Sequence, residues 1–248
     1  MKLIATGDIT KHAPANTKDA LILGINTDYI YGIGSDIQLT KDLVPIVLAN
    51  PLIKNLTPLG DDLSNLTYKQ VKQLRLGDKI QSHNIVTLEE ALIMFSLTSK
   101  PFILNLIDQG NRNKEFVEIV VDIILKYPAV NLYVKSNNKE IALYFNAFKT
   151  KAKSGIVISS NDPLIKDLKF DFFSFYEENL NEEVVKAELK KSRTVMIEDI
   201  NTPEKLQELG EKLDYSVFLV FIITQNIIAL YNALTLYEKS LLKINEKS

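Results

Sequence analysis

Cysteine is absent from the 248 residues, and histidine occurs only twice, as His12 and His83. The first absence excludes disulfides, thiolate nucleophiles and cysteine-based metal centres. The second leaves any chemistry built on paired imidazoles only those two side chains. An excess of charge of one sign is missing as well: 29 Lys and Arg stand against 31 Asp and Glu, a formal net charge of −2. No basic block or basic–aromatic stretch breaks that balance, so nothing points to a nucleic-acid partner. There is no low-complexity segment, no repeat of about 20–50 residues and no linker-like shift in composition. One domain over residues 1–248 is the economical reading.

Long hydrophobic runs are scarce. The run at residues 2–5 is far too short for a signal peptide. Residues 215–237 carry no formal charge, but Thr224, Gln225, Asn226 and Asn232 interrupt them. Their start is β-branched and aromatic, so the segment reads as a buried strand followed by a helix rather than a membrane span. A cytoplasmic location is the expectation.

Hydrophobic residues make up 46% of the chain, enough for a sizeable core. Short apolar runs fall at residues 3–5, 29–33, 102–107, 132–134, 155–158, 172–175, 195–197 and 217–223. Several are nearly continuous, as in parallel strands covered on both faces. Helices lie between them. Thr67 with Gln70 and Thr87 with Glu90 fit capping boxes, in which each N-cap hydroxyl and the side chain three residues on satisfy free backbone N–H groups. Thr202 before Pro203 places an N-cap ahead of a proline at the first helical position. Phe116, Ile119, Val120, Ile123 and Ile124 form one apolar stripe, stopped by Pro128. Strict alternation of strands and helices predicts an α/β fold, a (β/α)₈ barrel, with an open doubly wound sheet as the rival. Residues 48–85 break the rhythm and read as an excursion over one barrel end.

Several segments resemble the glycerophosphodiester phosphodiesterase family in order and spacing. Asp36-Ile37-Gln38-Leu39-Thr40-Lys41-Asp42 is close to that family's Asp-Val-Gln-Leu-Thr-Lys-Asp. Val44-Pro45-Ile46-Val47-Leu48-Ala49-Asn50-Pro51 follows in register with its Val-Pro-Val-Val-Phe-His-Asp-Pro. Leu3-Ile4-Ala5-Thr6-Gly7-Asp8 stands where the family has a strand ending Ala-His-Arg-Gly, and Pro14-Ala15-Asn16-Thr17 resembles its Pro-Glu-Asn-Thr. Ile85-Val86-Thr87-Leu88-Glu89-Glu90, Ile197-Glu198-Asp199-Ile200-Asn201 and Ile222-Ile223-Thr224-Gln225-Asn226 continue the likeness almost to the end of the chain. It implies the same barrel, and a phosphodiester hydrolase of glycerophospholipid metabolism. It also implies a divalent cation, Mg²⁺ or Ca²⁺, held by carboxylates, two histidines for proton transfer and an arginine on the phosphate.

Carried over position by position, that set is incomplete. The first histidine falls on Thr6 and its arginine on Gly7; the second histidine falls on Ala49 and the next aspartate on Asn50. Of the Glu-x-Asp metal pair, the glutamate falls on Gly34 and the aspartate is Asp36. The Glu-x-Lys of the third strand has no counterpart around Asn105-Leu106-Ile107, with Asp108 at best displaced. An alternative register, anchored on Asp28-Tyr29-Ile30, puts Tyr31 and Ile33 at the metal positions and leaves Asp36 on the surface. In either register the inherited mechanism is expected to be lost, no catalytic residue is named, and no cofactor is expected, Asp36 being a remnant metal ligand.

The candidate binding residues are Thr6, Asp36, Asn50, Asn105, Lys135 and Glu198. Lys135, with Ser136 and Asn137 past the fourth strand, could hold a phosphate; one of Glu198 and Asp199 should face the interior, where a carboxylate needs a partner. His12 reads as a loop histidine able to compensate at best, and His83 as structural. Gly32-Ile33-Gly34 reads as a turn, Asn16, Thr17 and Asp19 as a helix start, and residues 159–162 as a turn. Three readings stand: a non-catalytic barrel binding a small phosphorylated ligand or a protein partner, an enzyme with a rebuilt site, and a partner in an oligomer with an active homologue.

Overall fold

The computed structural model describes residues 1–6, 15–49, 62–74, 76, 77, 82–158, 168–213 and 219–245. Eight parallel strands close into a barrel: β1 Lys2–Ala5, β2 Gly32–Leu39, β3 Phe102–Leu106, β4 Leu132–Ser136, β5 Lys153–Ile158, β6 Phe172–Tyr176, β7 Thr194–Glu198 and β8 Val220–Thr224. Closure is made by β1, which sets Leu3 opposite Ile222 of β8 and Ile4 opposite Gly32 of β2. The open-sheet rival is thereby excluded. Around the strands lie α1 Lys18–Asn26, α2 Leu88–Phe95, α3 Asn113–Leu125, α4 Lys139–Asn146, α5 Glu182–Lys190, α6 Pro203–Leu213 and α7 Ile227–Asn245.

The helix starts follow the chemistry expected of them. Thr17 caps α1 by accepting from Ala20 N, and both capping boxes form, Thr67 with Gln70 and Thr87 with Glu90. Pro203 opens α6, and the Thr202 hydroxyl accepts from Lys205 N. The stripe on α3 buries Phe116, Val120 and Ile124 against the outside of the barrel. The uncharged run near the C-terminus divides into β8 and α7, and among the described residues no helix is long and apolar enough to cross a membrane.

Three readings need correction. The second strand begins at Gly32 rather than at residue 29, and Gly32-Ile33-Gly34 lies inside it rather than in a turn. The glycines mislead because they are there for space. A Cβ on Gly32 would sit 2.7 Å from the Pro101 ring, and one on Gly34 would sit 2.7 Å from Thr6 Cγ2. Lys135 and Ser136 belong to β4 instead of following it. Flanking the excursion, residues 45–47 pair antiparallel with β2 and residues 86–87 pair antiparallel with 45–47, and Ile46, Leu48, Leu63 and Val71 form a small core of their own.

Along each barrel strand alternate residues face the lumen. Ile4, Ile103, Tyr133, Phe172, Met196, Phe221 and Ile223 meet there in one cluster and fill the lower barrel. Tyr133 packs edge-on to Phe172 at a centroid distance of 5.4 Å, and Phe172 lies directly over Gly155. A Cβ at Gly155 would come within 2.4 Å of that ring, which is fully buried and has no room to withdraw. Gly155→Ala is therefore expected to destabilise the fold by about 1–3 kcal/mol, the usual cost of overpacking a filled core. Urea denaturation of G155A, F172L and the double variant measures it. The double variant should recover part of the loss, whereas strictly additive costs would place the strain elsewhere.

Candidate functional site at the barrel mouth

The lumen-facing residues one step above that plug are polar. At the C-terminal ends of the strands they line a cavity of about 640 Å³, bordered among others by Thr6, Gly34, Asp36, Ala49, Asn105, Lys135, Tyr176, Glu198, Asp199 and Gln225. This is the end at which barrel sites form.

Three neighbouring strands carry Asp36, Asn105 and Lys135 in register, Asp36 opposite Asn105 and Asn105 opposite Lys135. The Asn105 amide donates to Asp36 Oδ1 at 2.7 Å, while its own Oδ1 is buried with no hydrogen-bond partner. Lys135, 5% exposed, donates across the lumen to Glu198 on β7, which is 8% exposed and also accepts from the Ser174 hydroxyl on β6. Both contacts converge on Glu198 Oε1. Asp199, the next residue, turns out of the strand with φ of 63° and leaves its side chain at the rim, only partly withdrawn from water.

Ala49 reaches the cavity because the residue before it is tied to β2. Leu48 N donates to Asp36 O at 3.0 Å, and Gln38 Nε2 donates to Leu48 O at 2.7 Å. Thr6, continuing β1, donates its backbone N–H to Thr224 O.

Burial drives the electrostatics. It raises the Asp36 carboxyl above its ordinary 3.8; the Asn105 hydrogen bond and the Lys135 charge oppose the rise, and the Glu198 charge adds to it. Asp199 is raised by burial and then by Glu198, and the Tyr176 phenol by burial and then by Glu198, Asp199 and Asp36. The mouth thus holds three carboxyls around one ammonium.

Of the expected site residues, Thr6, Asp36, Asn105, Lys135 and Glu198 meet in this cavity, whereas Asn50 and His12 lie outside the described residues. His83 stands on a two-residue strand opposite Leu76 in the excursion. The register that sends Asp36 to the surface is contradicted: Ile33 packs in the core outside the barrel, and Asp36 borders the lumen. Asp108 is no displaced ligand. It lies past β3, accepting from Gly110 N, Asn113 and Asn138, and those bonds hold its pKa low. Ser174 and Tyr176 were missed. Their signal was present, since two polar groups two residues apart in Phe172-Phe173-Ser174-Phe175-Tyr176 must share a face.

Residues 11–201 match the glycerophosphoryl diester phosphodiesterase family. The chain belongs to that family. An uncharacterised protein of Mycoplasma genitalium is 29% identical over 197 residues, spanning 73% of this chain and 82% of the relative. Among solved structures, the barrel is similar to an Oleispira antarctica phosphodiesterase determined in complex with the product sn-glycerol-3-phosphate. That likeness has a TM-score of 0.82 and 18% identity, over 95% of this chain and 97% of the other. A glycerophosphodiester phosphodiesterase of Parabacteroides distasonis gives a TM-score of 0.77 at 20% identity, over 96% and 98%. At such identities the structural likeness speaks for the fold alone.

The divalent cation implied by the family does not fit the residues present. Gly34 offers no oxygen, and a side chain there would run into Thr6. Asn105 turns its N–H toward Asp36, and the ammonium of Lys135 already sits against Glu198. Among the described residues, no three acidic or histidine side chains are grouped to hold a metal.

The raised Asp36 pKa sets a sign. A carboxyl that holds its proton more tightly when folded adds stability at acid pH, and that contribution is lost as pH rises from about 4 through the folded value. Asp36→Asn imitates the protonated form, and its amide can donate to the unpartnered Asn105 Oδ1. Melting curves at pH 4 and pH 7.5 should show D36N close to the parent at the lower pH. At the higher pH it should be more stable by on the order of 1 kcal/mol, one buried hydrogen bond. A variant less stable at pH 7.5 would mean that Asp36 is held as a carboxylate.

Proposed function

We propose that this member of the glycerophosphoryl diester phosphodiesterase family binds a ligand at its barrel mouth without hydrolysing it. One observation carries the reading: Thr6 and Ala49, the positions that the resemblance assigns to the proton-transferring histidines, both border the cavity and neither titrates. The surrounding barrel is kept, and the cavity is large enough for a small molecule.

The described residues argue against a phosphate as the recognised group. Their one lysine in the mouth is paired with Glu198, and Asp36 and Asp199 add negative charge nearby. The carboxyls that border the cavity are hydrogen-bond acceptors, which match a ligand that donates, such as a hydroxylated one.

A second reading, hydrolysis by a rebuilt site, has the raised Asp36 and Asp199 carboxyls in its favour, because perturbed acids in a cleft mark candidate catalysts. One assay separates the two. Purified protein is incubated with glycerophosphocholine from pH 5 to 8, with and without Mg²⁺ or Ca²⁺, beside the D36N variant. Loss of acid–base catalysis alone typically removes about 10²–10⁴-fold in rate, so turnover at background is expected throughout. Turnover at ordinary enzyme rates that D36N abolishes would establish the rebuilt enzyme instead.

A further inference from the structure

Outside the barrel lies a second cavity of about 380 Å³, an ordinary size for a small-molecule site. The start of α1, the short helix Tyr68–Val71 of the excursion and the first turns of α2 enclose it. Backbone contacts hold these parts together: Lys18 N donates to Asn84 O at 3.1 Å, and Thr17 forms an isolated antiparallel bridge with Ile85. This cavity and the one at the mouth share no described lining residue.

Its wall is apolar and its rim is charged. Ile85, Val86, Ile93 and Met94 supply the wall with the Tyr68 ring, and Ile93 is left 49% exposed. Glu90 at the rim is already engaged. Its Oε2 accepts from Thr87 N at 2.8 Å and from the Thr87 hydroxyl at 3.2 Å, and the Tyr68 phenol hydrogen-bonds to the same carboxylate. Lys18 and Lys72 are not so matched. Among the described residues neither ammonium makes an ion pair, and that of Lys72 lies 5.8 Å from the centre of the Tyr68 ring. Lys18 is moreover the first residue of α1, where the helix dipole disfavours a cation, so its charge does nothing for the helix that carries it. Two unanswered ammonium groups at the edge of an apolar cavity match an anion with an apolar body.

We propose that this outer cavity binds an alkyl carboxylate, its chain against Ile85, Val86, Ile93 and Met94 and its carboxylate held by Lys18 and Lys72. The inference goes beyond the proposed function, which concerns the mouth. The full chain is titrated calorimetrically at neutral pH with butanoate, hexanoate and octanoate, and with octan-1-ol and octylamine as charge controls. Octanoate should saturate one site. Each added methylene should tighten binding by up to about 4-fold, the worth of burying one CH₂ group. Octan-1-ol should bind about 5-fold or more weakly than octanoate, and octylamine not at all. Lys18→Met/Lys72→Met, which alters two exposed side chains, should lower octanoate affinity about 10-fold, as expected of two solvent-facing ion contacts, and leave that of octan-1-ol unchanged. Ile93→Glu, also at an exposed position, should abolish octanoate binding through charge on the wall.

Methyl NMR places the ligand: octanoate should shift the Ile93 and Met94 signals and leave Ile103 and Ile223, which border the mouth, where they are. Shifts confined to Ile103 and Ile223 overturn the proposal. So does octanoate that binds no tighter than butanoate or octan-1-ol, or that keeps its affinity in the double lysine variant. The glycerophosphocholine assay reads the mouth and this titration reads the outer cavity, so either reading can fail while the other stands.

Discussion

An ammonium taken out of water in the middle of a barrel costs several kcal/mol unless a carboxylate meets it in good geometry. Lys135 meets Glu198, and much of the upper barrel is arranged around that contact. Ser174, on one of the two strands between them, supplies a hydroxyl to the same carboxylate oxygen. Asp36 and Asn105 stand beside Lys135 in consecutive register positions, so their hydrogen bond is made within the field of the pair. Asp199 and Tyr176 feel the same charges from the rim. A polar layer of this kind survives burial because its members answer one another.

Below that layer the barrel is dry and filled by aromatic rings, and the two halves place opposite demands on the strands. Where Phe172 and Tyr133 enter the lumen, a neighbouring strand must give way, and Gly155 does. Where Thr6 turns inward at the top, Gly34 gives way in the same manner. The position that the resemblance assigns to a metal-binding glutamate is thus closed by packing as well as by chemistry. At the two positions to which the resemblance assigns a histidine and a glutamate, the Thr6 methyl fills the space beside Gly34, a residue without a side chain.

Much of the fold was legible because strands buried on both faces leave runs of apolar residues, and because Thr17, Thr67, Thr87 and Thr202 announce helix starts through bonds made within one turn. The second strand was misplaced for a physical reason. Gly32 and Gly34 have the composition of a turn, yet they serve close packing between strands far apart in sequence. The site was legible in part. Thr6, Asp36 and Asn105 could be located through a resemblance in sequence order, and Lys135 and Glu198 were noticed singly, as charged groups near strand ends. Their meeting could not be read, since they are separated by 63 residues and by two intervening strands. Ser174 hid inside an apolar run, and only its parity with Tyr176 told which way it faced.

The central claim is that Lys135 and Glu198 act as one unit on which the mouth depends, and a double-mutant cycle tests it most directly. Equilibrium unfolding of the parent, K135M, E198M and K135M/E198M at neutral pH gives the coupling between the two side chains. Each single substitution strands a buried charge and should cost about 3–5 kcal/mol, while the double variant, which removes both charges, should cost far less than the sum. Single costs that simply add, or that fall within about 0.5 kcal/mol of the parent, would show that the two residues do not hold each other and would contradict the account.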